Sequence, residues 1–179
     1  MSMISVTLPD GSINEYTTGI TAGEIVIDIE GRKHDCVAAM VDGEQKDFSA
    51  TLDSDCSVTG ISAFDDDGMY ILRHSAAHLL AQAITSIYPD AKPTIGPPVD
   101  RGFYYDFADL NDFGEADLKA VQKKMHELAR RNLTLERKEC TDTELEELFA
   151  SNPYKLEIIK DKLEEGAGTS IYQQGDWYD

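Results

Sequence analysis

Residues 73–83 read Arg73-His74-Ser75-Ala76-Ala77-His78-Leu79-Leu80-Ala81-Gln82-Ala83, a stretch of helical length that carries half of the chain's four histidines. At about 100° per residue, its apolar positions fall on one arc of a helix. This arc consists of Leu72, Ala76, Leu79, Leu80, Ala83 and Ile87. His74 and His78 project together from roughly the opposite side. The pattern predicts a helix that packs through one face and presents two imidazoles on the other.

The spacing of the two histidines leaves three interpretations open. An i, i+4 pair can bind a metal, can supply a general base and its partner, or can lie on the surface without a role. A metalloprotease is disfavoured because Ser75, Ala76 and Ala77 lie between the histidines, with no glutamate to act as the base. Structural zinc needs four ligands, and no Cys or His lies at a matching spacing, so no metal site is predicted. The other two histidines, His34 and His126, are expected to be solvated.

Several other chemistries lack their sequence signals. The chain has no Gly-x-Gly-x-x-Gly motif, no phosphate-binding P-loop and no Gly-x-Ser-x-Gly nucleophile elbow. Nothing in it is therefore predicted to bind ATP. Any catalysis is expected to use water activated by a histidine, with Tyr, Lys or Asp groups in positioning roles.

Composition predicts a soluble, globular protein. The chain has 179 residues, of which 41% are hydrophobic and 28% charged, enough for one domain or two small ones. No apolar run is long enough to cross a bilayer, and the N-terminus lacks signal-peptide features, so we expect a cytoplasmic location and no membrane partner. Cys36, Cys56 and Cys140 show no paired spacing and are expected to be reduced.

The formal net charge is −18, which repels phosphate backbones and argues against autonomous nucleic-acid binding. An adaptation of solubility to high salt would explain the acid excess equally well. The basic residues of one predicted helix are a local exception, although a solvated helix face is the simpler explanation. They are Lys119, Lys123, Lys124, Arg130 and Arg131.

Residues 1–63 are predicted to form a small α+β domain. Ile4, Val6 and Leu8 alternate before the turn at residues 9–11, and the return to Tyr16 predicts a hairpin. Thr21 and Glu24 form a capping box for a short helix that ends at Gly31. Residues 37–41 and 56–61 are predicted strands. The order β-β-α-β-β fits a β-grasp sheet wrapped on one helix.

The charged stretch Asp65–Gly68 is predicted to be a turn at a domain boundary, so that the second domain covers residues 69–179. Its first element is the histidine helix, followed by the aromatic run from Phe103 to Phe107. An amphipathic helix with Leu118, Val121, Met125 and Leu128 at core spacing comes next. Another helix is capped by Thr141 and Glu144. Strand fragments follow at residues 171–172 and 177–178.

Three segments together resemble a known family. The histidine stretch, Thr94-Ile95-Gly96-Pro97-Pro98 and Gly102-Phe103-Tyr104-Tyr105-Asp106-Phe107 look like the editing domain of bacterial-type threonyl-tRNA synthetases. The unit from Ile4 to Ile61, with Leu8-Pro9-Asp10-Gly11-Ser12, resembles the TGS domain of these synthetases and of some GTPases and alarmone enzymes. The implied fold is α+β: a ubiquitin-like β-grasp domain followed by an editing domain whose sheet packs on helices.

The resemblance implies proofreading, in which the ester of mischarged seryl-tRNA is hydrolysed by water without a catalytic metal. The family's catalytic positions correspond to His74, His78 and Asp179, with His74 as the base or water-orienting group. Tyr105 and Lys155 match positions that hold the substrate and the 3′-terminal adenosine. Taken alone, Tyr105 could equally be a core aromatic, and Lys155 beside Pro153 is expected to face solvent.

The family's second motif, a Cys and a His separated by three residues, is expected directly after the position of Asp179. The chain is therefore expected to be an N-terminal fragment of a threonine–tRNA ligase with a truncated editing domain and impaired esterase activity. The resemblance implies tRNA as the partner, no DNA, and a homodimer formed through a missing catalytic core that uses ATP, magnesium and zinc. The alternative is a non-catalytic TGS-containing regulatory module that binds RNA or a partner protein.

Overall fold

The computed structural model describes residues 2–165 and 170–179, which divide into two compact units, Met1–Leu72 and Arg73–Asp179. The division falls inside a long helix, whereas the sequence predicted a boundary between residues 63 and 69. None of the helices in the described ranges is both long enough and apolar enough to span a bilayer.

The first unit is built on a five-stranded sheet. Its elements in chain order are β1 (Met3–Thr7), β2 (Ile13–Thr17), β3 (Ile20–Thr21), α1 (Ala22–Glu30), β4 (Cys36–Val41), β5 (Glu44–Lys46), β6 (Thr51–Leu52) and β7 (Cys56–Ser62). The strand order is β2-β1-β7-β4-β5, with β7 parallel to β1 and antiparallel to β4. Strands β3 and β6 form a separate short ladder.

Helix α1 packs against this sheet through a fully buried apolar face. Ile25 and Val26 of the helix meet Val6 and Val58 of the central strands in one core. Thr21 caps the helix, and its backbone N–H and hydroxyl both donate to the Glu24 carboxylate. The predicted capping box, hairpin and β-grasp arrangement are confirmed.

The predicted histidine helix is confirmed as α2 (Asp66–Ile87), but it starts within the stretch predicted to be a turn. Asp66 and Asp67 lie in its first turn. Carboxylates are stabilising there because they interact with the unpaired backbone N–H groups and with the positive end of the helix dipole. Gly68 fits there because a Cβ would lie 1.8 Å from the Ser62 carbonyl oxygen. The turn prediction for residues 66–68 was therefore wrong.

The second unit continues with short strands and three further helices. They are β8 (Lys92–Pro93), β9 (Pro98–Val99), β10 (Gly102–Phe103), β11 (Phe107–Ala108), a 3₁₀ turn (Glu115–Asp117), α3 (Leu118–Arg130), β12 (Leu135–Glu139), α4 (Asp142–Leu148), α5 (Pro153–Glu164), β13 (Ser170–Gln174) and β14 (Trp177–Tyr178). Strand β8 pairs with β11 and β9 pairs with β10, while β12, β13 and β14 form an antiparallel sheet.

Two apolar clusters hold this unit together. The C-terminal half of α2 packs against α3, where Ala83 and Ile84 share one buried cluster with Val121 and Leu128. Ile171 of β13 packs on Leu145 and Phe149, as expected for a sheet on helices. Two predicted core positions are exposed. Leu72 is 44% exposed because the partners of the arc lie along the later turns of α2, and Leu118 is 53% exposed in the first turn of α3.

Candidate active site

The two histidines of α2 face the hairpin formed by β13 and β14. Their ring centroids are 4.5 Å apart, as neighbours one turn apart on a helix should be. The His78 ring lies 5.9 Å from Tyr172 and 5.8 Å from Trp177, and the His74 ring lies 6.4 Å from Tyr172. Each imidazole therefore has an aromatic neighbour from the hairpin.

The hairpin also places Asp179 in this cluster. Its backbone pairs with Tyr172, since the Tyr172 N–H donates to the Asp179 carbonyl at 2.8 Å and the Asp179 N–H donates back at 2.9 Å. Its side chain is only 5% exposed. A nearly buried carboxylate requires charged or polar partners to offset the loss of hydration.

Three side chains from different segments contact the Asp179 carboxylate. The Lys155 Nζ lies 2.5 Å from Oδ1, the Tyr105 hydroxyl donates to Oδ2, and the His78 Nε2 lies 3.6 Å from Oδ2. Lys155 also donates to the Tyr105 hydroxyl at 3.3 Å. The carboxylate thus joins α2, α5 and the segment before β11 at one point.

Lys155 is buried because of this ion pair. It lies in the first turn of α5, which begins with Pro153 after the N-cap Asn152. Only 14% of its side chain is exposed, and burial of an ammonium group is tolerated when a carboxylate pairs with it. The expectation from its local sequence, that it faces solvent, was wrong.

Tyr105 is held from both sides by the strands around it. The Asp106 N–H donates to the Ile95 carbonyl and the Thr94 N–H donates to the Asp106 carbonyl, so the pairing of β8 and β11 continues to Asp106, the residue after Tyr105. Gly96 lies directly against the phenol ring: a Cβ there would be 2.1 Å from the Tyr105 Cδ2. The ring of Phe107 packs 5.1 Å away.

Burial keeps the site's ring groups uncharged. Desolvation lowers the pKa of His78 to about 4, although the negative charge of Asp179 opposes the shift. Burial also lowers the pKa of His74, again against the attraction of Asp179. Burial, together with the Asp179 charge, raises the pKa of Tyr105. At neutral pH the two imidazoles can therefore accept protons, while Tyr105 remains a donor.

This combination suits hydrolysis by water. An imidazole that is neutral at pH 7 can accept a proton from water, and the Lys155 ammonium and Tyr105 hydroxyl are donors for a substrate oxygen. The five groups include no serine, threonine or cysteine nucleophile. Among the described residues, no group of three or more His, Cys, Asp or Glu side chains is arranged to hold a metal ion.

The remaining histidines lie elsewhere. His126 is exposed on α3, as expected. His34 is half-buried, because its Nδ1 accepts from the Cys36 N–H at 3.2 Å and its ring packs on Phe48. The expectation that His34 is solvated was wrong. The three cysteines are free thiols.

Comparison with known proteins agrees with this architecture. Residues 4–60 match the TGS domain family. The chain is 37% identical over 180 residues to a threonine–tRNA ligase of Thiobacillus denitrificans, covering 99% of this chain. It is 41% identical to the threonine–tRNA ligase of Rubrobacter xylanophilus, in an alignment that covers 99% of this chain. It is 39% identical to the threonine–tRNA ligase of Natronomonas pharaonis, in an alignment that covers all of this chain.

Nearly the whole chain is therefore similar to a part of threonine–tRNA ligases. It spans 28% of the length of each of these relatives. The expected resemblance to the N-terminal region of such ligases, including a TGS domain, is confirmed.

The structure brings all five residues suggested by the resemblance into one part of the second unit. It adds four that the sequence reasoning missed: Tyr172, Trp177, Asn152 and Gly96. Tyr172 and Trp177 lie in the strand fragments that were predicted. Their contact with the histidines of α2 joins segments far apart in the chain, and no local sequence pattern indicates it. For Asn152, its position just before a proline was an available N-cap signal.

Proposed function

We propose that the second unit hydrolyses the ester of seryl-tRNA formed in error by a threonine–tRNA ligase of which this chain is a part. The observation that carries the proposal is the convergence of His78, Lys155 and Tyr105 on the buried Asp179 carboxylate, with the His74 ring 4.5 Å from that of His78. The homology of the chain to threonine–tRNA ligases supports the choice of substrate.

The need for such an activity follows from the size of serine. Serine lacks one methyl group of threonine, and one methyl group in a pocket discriminates by only about 1–3 kcal/mol. A synthetic site that accepts threonine therefore also accepts some serine. A second site that admits serine and excludes threonine removes the error after the transfer to tRNA.

His74 is the proposed base. Asp179 contacts the His78 ring and not the His74 ring. The His74 ring is therefore free to take a proton from the attacking water. His78, whose Nε2 faces Asp179, orients the pair. Water adds to the seryl carbonyl carbon and gives its proton to His74. The ester bond to the ribose oxygen then breaks, that oxygen takes up a proton, and free serine and tRNA are released.

Lys155 and Tyr105 are the proposed substrate-binding groups. Both carry donors next to the Asp179 carboxylate, within 3.3 Å of each other. An ammonium and a neutral phenol placed together can hold the 3′-terminal adenosine and stabilise the oxygen on which negative charge develops. Asp179 fixes the direction of both donors.

The wider assignment follows from the homology. The whole protein would attach threonine to its tRNA in the cytoplasm, using ATP, magnesium and zinc in a catalytic core outside this chain, and would act as a homodimer. The Cys/His motif that the resemblance implies after Asp179 would line the facing side of the cleft.

The test compares the hydrolysis of seryl-tRNA and threonyl-tRNA, made on the same threonine-specific tRNA. Both are incubated with the chain and with a form extended through the Cys/His motif. We expect the seryl ester to be hydrolysed roughly 10- to 200-fold faster than the threonyl ester, the discrimination that one methyl group allows. Equal rates for the two esters, or no hydrolysis by either form, would contradict the proposal.

A further inference from the structure

Asn152 is a buried polar residue beside the site, and both the oxygen and the nitrogen of its side-chain amide are hydrogen-bonded. It is 7% exposed. Its Oδ1 accepts from the Lys155 backbone N–H at 3.2 Å, and its Nδ2 donates to the Pro93 carbonyl at 2.7 Å. A buried amide is stable only when such bonds are made.

The two bonds lead to the two donor residues of the site. The first caps α5 at the turn that carries Lys155. The second reaches β8, whose partner strand β11 begins two residues after Tyr105. Lys155 and Tyr105 are 50 residues apart in the chain, yet their polar atoms lie 3.3 Å apart.

This linkage also explains why asparagine suits the position better than other capping residues. Ser, Thr and Asp can cap a helix through a side-chain oxygen. Only Asn offers, in addition, an N–H donor on the same short side chain. That N–H is the donor that Asn152 gives to the Pro93 carbonyl.

We propose that Asn152 is a positioning residue that sets the separation of Lys155 and Tyr105 by tying the start of α5 to strand β8. It contacts neither Asp179 nor the imidazoles and acts only through the backbones of the two segments. Its effect on activity rests on the proposed ester hydrolysis, whereas its effect on the geometry can be measured without it.

The experiment uses Asn152→Asp, which keeps a capping oxygen but loses the donor to Pro93. Its matched control is Thr141→Ala, which removes the cap of α4, a helix that carries none of the five site residues. Both variants should lower Tm. Two readouts then separate positioning from stability. The first is the acylation rate of Lys155 by an amine reagent, measured by peptide mass spectrometry against the exposed Lys160. The second is the near-ultraviolet circular dichroism signal of Tyr105, obtained by difference from the Tyr105→Phe form of each variant.

In Asn152→Asp we expect Lys155 to be acylated roughly tenfold faster relative to Lys160, as for a local opening of a protected group. We also expect the near-ultraviolet circular dichroism signal of Tyr105 to weaken, because a ring whose position is less fixed gives a smaller signal. With seryl-tRNA, kcat should fall by about 10²-fold, the cost of a misplacement on the order of 1 Å. Thr141→Ala should change none of the three.

The outcomes separate this inference from the proposed function. Suppose that the wild-type protein hydrolyses the seryl ester, and that Asn152→Asp and Thr141→Ala give the same Lys155 acylation rate, Tyr105 signal and kcat. That result would overturn the role of Asn152 and leave the proposed function intact. Shifted Lys155 and Tyr105 readouts in a protein that hydrolyses no seryl ester would support the positioning role and contradict the function. Unchanged Lys155 and Tyr105 readouts overturn the positioning role whatever the activity.

Discussion

At the scale of single residues, the site depends on a balance between burial and charge at His78. Its Nε2 is 3.6 Å from the Asp179 carboxylate, a contact that by itself would favour the imidazolium form. Burial nevertheless dominates and brings the pKa of His78 from its ordinary 6.5 to about 4. The positive charge of Lys155, whose Nζ lies 2.5 Å from the same carboxylate, lowers the pKa of His78 further, but by less than burial does.

This shift predicts a pH-dependent stability. Between pH 6.5 and 4 the unfolded chain binds a proton at His78 that the folded chain does not bind. The free energy of unfolding should therefore fall as the pH drops through this window, by on the order of 3 kcal/mol for His78. His74, whose pKa is also lowered, adds to the loss. Urea unfolding at several pH values between 7 and 4.5 measures it.

His78→Gln removes the titrating group and should flatten part of this dependence. His126→Gln, a change of an exposed histidine, should leave the wild-type slope unchanged. If the His78→Gln and wild-type curves have the same slope below pH 6.5, the imidazole is not buried in its neutral form.

At the scale of elements, the segment before β9 determines where Tyr105 can lie. Gly96 approaches the phenol ring so closely that a Cβ would lie 2.1 Å from its Cδ2. We predict that Gly96→Ala displaces the ring from Asp179, lowers stability by roughly 1–3 kcal/mol through overpacking, and slows seryl-tRNA hydrolysis. Gly114→Ala is the control, because its Cβ would meet nothing within 4 Å. Equal stability and equal hydrolysis in the two variants would show that the glycine is not required for Tyr105.

The elements with a local signal were predictable from sequence. The Thr21–Glu24 and Thr141–Glu144 boxes mark their helices, and periodicity places His74 and His78 on one face of α2. The buried state of Lys155 was not predictable, because its partners Tyr105 and Asp179 lie far away in the chain. Strand β12 was missed since Glu136, Lys138 and Glu139 are exposed and show no apolar alternation.

At the scale of the whole molecule, the net charge of −18 opposes the approach of an RNA. Helix α3 reverses this locally with exposed Lys119, Lys123 and Arg130, none of which forms an ion pair within the described part of the chain. Weak RNA binding at physiological salt therefore follows from charge alone. Hydrolysis is best compared at saturating tRNA, where the rate reports on the arrangement of the site.

The measurement that tests the central claim most directly is the rate of seryl-tRNA hydrolysis by His74→Ala under saturating conditions, in the form extended through the Cys/His motif. We predict a loss of about 10²- to 10⁴-fold, the contribution of one general base. His126→Ala, which removes an exposed histidine of α3, should keep the wild-type rate. A His74→Ala protein that hydrolyses seryl-tRNA as fast as His126→Ala would contradict the account.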